Sequence, residues 1–488
     1  MPIATLNMVR LDRRQRESLQ TQLSRQIRRL IMSGQLAAGV RLPSTRDLVG
    51  QLGASRNTIV YAFEQLIAEG YLDSRIGSGI YVADLPVAKA AVISKASQAT
   101  RPSPQPRVSH RASVLREVRV APEYSTPRVR PFRPCQAAVA RFPIRTWNRA
   151  RAYALRSQAS ELMFEADAIG LPRLRRAVTA YLRDARGVRC DVDQIIITAG
   201  AQQALSLIGT SLIDRGDPVW IEDPGYHGAK AALVRGGAKL IPIPIDGEGL
   251  TIPPTGRSHV PRLIYTTPSR QFPLGTTMTL PRRLDLLEFA RTSGAWLIED
   301  DYDSEFRYVG RPLPSLQGLA ANDCVIYVGS FSKVLFASLR LGYLVVPHHL
   351  VDVFRKAKEI QAGTSSAIDQ ATAAVFIEEG FFSTHVRRMR ELYRDRRDAF
   401  LFEAKKHLSG LLTFPSIEAG MDATGYLPVN ISDVGVSKRL AAKGIDAPPL
   451  SAYSLGRCPP GLVFGFTAFS PLEIRSAIQT ISHSARLT

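Results

Sequence analysis

The sequence predicts a multidomain α/β protein, a small helical head followed by a large domain on a mostly parallel sheet. Three observations carry this. Short apolar runs alternate with amphipathic stretches from about residue 195 to residue 346, as parallel strands with helical crossovers require. Ahead of them, within residues 11–82, three helical patterns are closed by a hairpin signature. Between the two, residues 83–126 lose all amphipathic period and turn to Ala, Ser, Pro and Arg.

At 488 residues the chain is too long for one ordinary domain. Its 63 basic against 43 acidic residues give a formal charge of +20, an argument for a polyanionic partner, with nucleic acid first. Cys135, Cys190, Cys324 and Cys458 lie far apart without a CxxC, so neither a zinc site nor a disulfide framework is indicated, and a reducing cytoplasm fits. The N-terminus has no apolar core of a signal peptide, and no apolar run approaches the ~18 residues of a membrane span.

In the head, Leu19, Leu23, Ile27, Leu30 and Ile31 form one face of a first helix that stops at Ser33-Gly34. Ser44 as N-cap and Asp47 in the first turn open a second helix, which Gly53 ends. Ser55 caps a third, Arg56 to Glu69, burying Ile59, Ala62, Phe63, Leu66 and Ile67 and leaving Arg56, Asn57 and Thr58 exposed: a helix-turn-helix layout. Tyr71-Leu72 and Gly79–Val82, around Arg75–Gly79, read as a β-hairpin wing. The following stretch, with Arg101-Pro-Ser-Pro-Gln-Pro-Arg107 at its centre, reads as a flexible basic spacer.

The large domain is predicted over 127–488. A Gly-Pro turn at Gly170-Leu-Pro172 feeds a helix, and strand Ile195–Thr198 then runs into Ala199-Gly-Ala-Gln-Gln203 and another helix. Free backbone N–H groups of Gly200, Ala201 and Gln202 at that helix start make a phosphate cradle. Strand Pro218–Ile221 leads to Glu222-Asp-Pro-Gly-Tyr226, and strand Leu263–Thr266 to Thr267-Pro-Ser-Arg-Gln-Phe-Pro-Leu-Gly275. Strand Ala295–Asp300 ends in the cluster Glu299-Asp-Asp-Tyr-Asp303, too costly to bury without a purpose. The run Cys324–Val328 breaks at Gly329 into Ser330-Phe-Ser-Lys333, with Arg340 seven residues on.

A lysine where a strand ends can form a Schiff base with a carbonyl cofactor. The hydroxyls of Ser330 and Ser332 and the fork of Arg340 suit a phosphate on that cofactor. A carboxylate at the neighbouring strand end, Asp300, can keep a pyridine nitrogen protonated, and Tyr302 is placed for the ring hydroxyl. Together they indicate pyridoxal phosphate, bound covalently to Lys333.

Glu299-Asp-Asp-Tyr-Asp-Ser-Glu-Phe-Arg-Tyr308 and Ser330-Phe-Ser-Lys333 resemble the MocR subfamily of GntR-type transcription regulators, which join a winged helix to a fold-type I aminotransferase-like domain. Leu42-Pro-Ser-Thr-Arg46, Ser55-Arg-Asn-Thr58 and Glu69-Gly-Tyr-Leu72 resemble the GntR head. The resemblance implies Lys333 as the Schiff-base residue, Asp300 as nitrogen partner, Arg340 as phosphate ligand and Tyr226 stacked on the ring. It also implies DNA contacts from Arg46, Ser55, Arg56, Asn57, Thr58 and Gly77, and a head-to-tail homodimer.

Two departures bear on chemistry. Phe272 stands where enzymes of the fold often have an Asn that bonds the ring hydroxyl, which argues against efficient transamination. In the smaller C-terminal α/β region, from about Leu411, the strand Gly461–Phe469 lacks the arginine that generally clamps a substrate carboxylate; Arg457, Arg387, Arg388 and Arg390 are alternatives that sequence does not separate. The resulting expectation is a transcription regulator responding to pyridoxal phosphate or to an amino compound condensing with it. The rivals are a working aminotransferase carrying a DNA-binding head, and an empty aminotransferase-like scaffold for dimers.

Overall fold

The computed structural model describes residues 6, 8–75, 77–85, 109, 124, 128–164, 167–254, 260–311, 313–321, 323–361, 363 and 365–485. The chain divides into two compact units, Met1–Arg107 and Val108–Thr488. The stretch read as a spacer lies outside the described residues, apart from 83–85, 109 and 124. No helix among those described is long and apolar enough to cross a membrane.

The first unit packs helices α1 (Leu19–Met32), α2 (Thr45–Leu52) and α3 (Arg56–Ala68) against the hairpin β1 (Leu72–Arg75) and β2 (Gly79–Val82). Its core joins Leu23, Ile27 and Ile31 to Leu48, Ile59, Phe63 and Leu66, the faces read from the 3.6-residue period. Ser44 and Asp47 cap α2 reciprocally, and Gly53 ends it at φ 60°. The hairpin is broader than expected: Leu42 N–H donates to the Ile80 carbonyl at 2.8 Å and Val82 N–H to the Val40 carbonyl at 2.9 Å, so the α1–α2 connection lies along β2.

The second unit holds an eight-stranded sheet in the order β3-β10-β9-β8-β7-β4-β5-β6. The strands are β3 (Ile195–Thr198), β4 (Pro218–Asp223), β5 (Lys239–Asp246), β6 (Gly249–Leu250), β7 (Leu263–Thr266), β8 (Trp296–Asp301), β9 (Val325–Ser330) and β10 (Gly342–Val345). Pairs β4/β5, β4/β7, β7/β8 and β8/β9 are parallel, while β10 is antiparallel to both β3 and β9. Strands β3, β9, β8, β7 and β4 therefore end on one edge, and β10 begins there. The edge is tight: a Cβ on Gly342 would come within 2.9 Å of both the Gly200 Cα and the Gly329 carbonyl oxygen.

Apolar side chains fill both faces of this sheet: Ile195, Ile197, Tyr327 and Tyr343 on one, Ile196, Ile298, Ile326 and Leu344 on the other. Burial on both sides explains why the strands read as continuous apolar runs. A second sheet, β11 (Asp422–Tyr426) paired antiparallel with β12 (Gly461–Gly465), packs with the helices Phe381–His407 and Pro471–Ala485. The strand expected over Gly461–Phe469 thus ends at Gly465, since the chain turns at 467–469 into the last helix.

Candidate functional site

The shared strand edge opens into a cavity of about 250 Å³. Most of its wall comes from strand ends and the segments beyond them: Gly200–Gln202 after β3, Tyr226 after β4, Thr267 and Phe272 after β7, Asp300 and Tyr302 at the end of β8, Ser330, Ser332 and Lys333 at the end of β9, and Arg340 ahead of β10. All ten residues named from sequence as cofactor contacts line it. These ten residues, up to 140 positions apart (Gly200 to Arg340), meet because parallel strands return the chain to one edge after every helix.

At one end, Gly200 (φ 90°) opens the helix Ala201–Leu212, and no side chain caps it. Ser330 and Ser332 face it, with Ser332 N–H donating to Ser330 Oγ at 3.2 Å. The φ of 90° at Gly200 is a backbone conformation that glycine adopts without steric cost, and it sets the turn from strand into helix. Arg340 adopts φ 50°, a left-handed backbone that costs a non-glycine residue on the order of 1–3 kcal/mol and is tolerated where the fold needs the side chain aimed. Uncapped N–H groups, two hydroxyls and a guanidinium are the donor set that suits an anion.

Opposite lies the acidic cluster, whose members have separate duties. Glu299 accepts from the Leu316 and Gln317 N–H groups at 3.0 and 2.9 Å. Asp301 accepts from Arg186 Nε at 2.7 Å, Ser304 Oγ at 2.9 Å and the Tyr327 hydroxyl. Asp303 faces Arg270 Nη1 at 3.3 Å. Asp300 alone of the four lines the cavity; Tyr265 donates to its Oδ2 at 2.7 Å, and its Oδ1 is buried without a hydrogen-bond partner. Burial pushes the Asp300 carboxyl up to about 7, opposed by the Tyr265 hydrogen bond and reinforced by Asp301 and Glu222.

Lys333 Nζ donates to the Cys135 carbonyl at 3.0 Å. Cys135 itself has φ 60°, and its N–H is held by Asp422 Oδ1 at 2.7 Å. Tyr226 heads the helix His227–Gly236 and meets Phe272 edge-on, centroids 6.2 Å apart, and Phe272 in turn meets Tyr302 at 5.9 Å. Among the described lining residues the cations are Lys333 and Arg340. Arg457, Arg387, Arg388 and Arg390 are all exposed and none lines the cavity; Arg390 Nε donates instead to the Glu305 carbonyl at 2.8 Å.

Sequence reasoning missed Tyr265 and Cys135 as parts of this site. Tyr265 sits in a wholly buried strand and reads as core; the available signal was a hydroxyl-bearing ring in an aliphatic strand beside one ending in carboxylates. Cys135 contributes a backbone carbonyl from 198 positions away, for which side-chain patterns give no signal.

In the head, Arg46 is exposed in the first turn of α2, and Arg56 and Asn57 are exposed in that of α3. Ser55 and Thr58 are committed locally: Ser55 Oγ accepts from Thr58 N–H at 3.1 Å and lies 2.8 Å from its hydroxyl, leaving Thr58 half-buried where full exposure was expected. Gly77 has φ 74° in the hairpin turn, and the Arg75 guanidinium lies 4.5 Å from the Tyr81 ring centroid.

These residues fit pyridoxal phosphate: the unpartnered Asp300 oxygen matches a protonated ring nitrogen, the Gly200 cradle a phosphate, and Lys333 a carbonyl carbon. Residues 137–434 match the family Aminotransferase class I and II, whose members generally use that cofactor, and residues 19–82 match Bacterial regulatory proteins, gntR family, whose members bind DNA. The probable rhizopine catabolism regulatory protein MocR of Rhizobium meliloti is 38% identical over 97% of this chain and 95% of its own. The pyridoxine biosynthesis transcriptional regulator PdxR of Corynebacterium glutamicum is 33% identical over 96% of each. Among solved structures, the kynurenine aminotransferase of Pyrococcus horikoshii covers 78% of this chain and 95% of its own, with a TM-score of 0.70 and 26% identity. A GntR head and an aminotransferase class I fold, matched over 97% of the chain by a MocR protein, place the chain in the MocR-type family of GntR transcription regulators.

Proposed function

We propose that this regulator holds pyridoxal phosphate on Lys333, and that the cofactor, or an amino compound condensing with it, sets how tightly the head binds its operator. The observation that carries the reading is the meeting of Lys333, the open Asp300 oxygen and the Gly200–Arg340 anion cradle in one cavity, in a chain that also carries a helix-turn-helix. Bound there, the cofactor supplies an electrophilic carbonyl for primary amines and a ring that withdraws electrons. Asp300 holds the proton of the ring nitrogen; Gly200, Ala201, Gln202, Ser330, Ser332 and Arg340 bind the phosphate; Tyr302 donates to the ring oxygen; Tyr226 covers a ring face and excludes water.

In this reading residues 11–82 bind double-stranded DNA through Arg46, Ser55, Arg56, Asn57, Thr58 and Gly77, residues 83–126 are a spacer, and residues 127–488 sense the effector. The protein works in the cytoplasm as a head-to-tail homodimer. Phe272, buried against Tyr226 and Tyr302, brings no polar group to the ring, which supports sensing over steady transamination. The test is binding to a duplex from upstream of its own gene, with and without pyridoxal phosphate, for the native protein and Lys333→Ala. A cofactor-dependent change in affinity that the variant loses supports the reading; identical binding in all four cases, and again with a primary amine added, refutes it.

A further inference from the structure

Arg270 Nη1 lies 2.7 Å from the Tyr302 hydroxyl oxygen. A guanidinium has donors and no acceptor, so the tyrosine oxygen accepts and its own proton points elsewhere. Tyr302 lines the cavity, and no acceptor for that proton is found among the described residues. The guanidinium is itself fixed. Its Nε donates to the Ala419 carbonyl at 3.1 Å, Nη2 to the Asp422 carbonyl, and Nη1 also faces Asp303 Oδ2 at 3.3 Å; the residue is 2% exposed. The chain is shaped around it, because a Cβ on Gly420 (φ 86°) would come within 2.0 Å of Arg270 Nε.

We propose that Arg270 is a positioning residue for the cofactor's ring oxygen: by donating to Tyr302 it turns the tyrosine proton into the cavity and strengthens it as a donor, on the wall where Phe272 offers no polar group. The inference rests on the cofactor reading above. A donor strengthened in this way stabilises the ring oxygen as an anion, so that oxygen draws less on the proton of the neighbouring Lys333 imine. The other charged groups against Arg270 are Asp303 and, at 4.0 Å, Asp422; the Cys135 thiol faces Asp422 at 3.4 Å.

The experiment is a pH titration of the visible absorbance of the full-length holoprotein, which reports the proton affinity of the imine and not activity. Arg270→Met and Tyr302→Phe are each expected to raise that affinity about tenfold, moving the midpoint up by about one pH unit. The double variant shifts no further, since Arg270 acts through Tyr302. Should Arg270→Met fail to fold, Arg270→Met with Asp303→Asn removes the nearer of the two buried carboxylates that face it and gives the same comparison. A wild-type midpoint in the Arg270 variant, or a double variant whose shift is the sum of the singles, overturns the proposal. Absence of any visible band in the native protein given pyridoxal phosphate overturns the cofactor reading together with it, whereas a normal band with unmoved midpoints sinks this inference alone.

Discussion

Tyr265 donates its hydroxyl to Asp300 Oδ2 at 2.7 Å and leaves Oδ1 of the same carboxylate buried, on the cavity wall and without a partner. One oxygen is fixed by the fold and the other is open to a ligand. An ionised carboxylate half-satisfied in this way is a cost the protein bears when the cavity is empty.

That cost sets a pH dependence. Burial lifts the Asp300 carboxyl to about 7, against about 3.9 in an unfolded chain. A group raised on folding supports the folded state fully below its unfolded value, and that support is lost as pH rises through the folded one. Asp300→Asn should therefore stabilise the cofactor-free protein at pH 8 by about 1–3 kcal/mol, and by less at pH 5. Thermal melts of the cofactor-free variant and native protein at the two pH values check this; an unchanged or lower melting temperature at pH 8 would contradict it.

Arg340 bears on cofactor retention. In the proposed reading its guanidinium, which lines the cavity, completes the anion cradle, and a charge-assisted contact contributes about 1.5–3 kcal/mol, so Arg340→Ala should weaken pyridoxal phosphate binding about 10- to 100-fold. Equilibrium dialysis measures the change. Retention equal to the native protein's would remove Arg340 from the phosphate site.

The meeting of these groups at one strand edge was legible in the sequence because each lies within a few residues of an apolar run whose end is easy to see: Asp300 in β8, Lys333 beyond β9, Gly200 beyond β3. What could not be read was pairing across the fold. The separate duties of Asp300, Asp301 and Asp303 depend on which one Arg186, Tyr327 or Arg270 reaches, and those partners lie 26 to 115 positions away. The antiparallel β10 between β3 and β9 was hidden for the same reason, since an apolar strand carries no mark of its direction. In the head, Ser55 was read as both cap and DNA contact, and local pairing with Thr58 occupies its hydroxyl.

Phe272 and the exposed positions of Arg457, Arg387, Arg388 and Arg390 bear on turnover. With a common amino acid and a keto acid, the holoprotein should turn over well below the ~1 to 1000 per second of ordinary enzymes. A steady-state assay decides, and turnover within that range would favour the aminotransferase reading.

In the proposed reading Arg56 and Arg46 divide the DNA contacts. Arg56, exposed in the first turn of α3, is placed to read a base edge, and such a contact discriminates by about 1–3 kcal/mol. Arg56→Ala should therefore weaken operator binding more than binding to random duplex. Arg46, in the first turn of α2, is placed for phosphate, so Arg46→Ala should weaken both and reduce the salt slope by about one unit. Salt titrations on both duplexes test the pair, and an equal loss on both from Arg56→Ala would remove it as a base reader.

The central claim is a covalent cofactor on one lysine, and borohydride reduction of the purified protein followed by peptide mapping tests it most directly. Reduction fixes the linkage where it stands. The account predicts a pyridoxyl group on Lys333, the lysine beyond β9 whose Nζ faces the Cys135 carbonyl across the cavity. A label on another lysine, or none after incubation with pyridoxal phosphate, would contradict it.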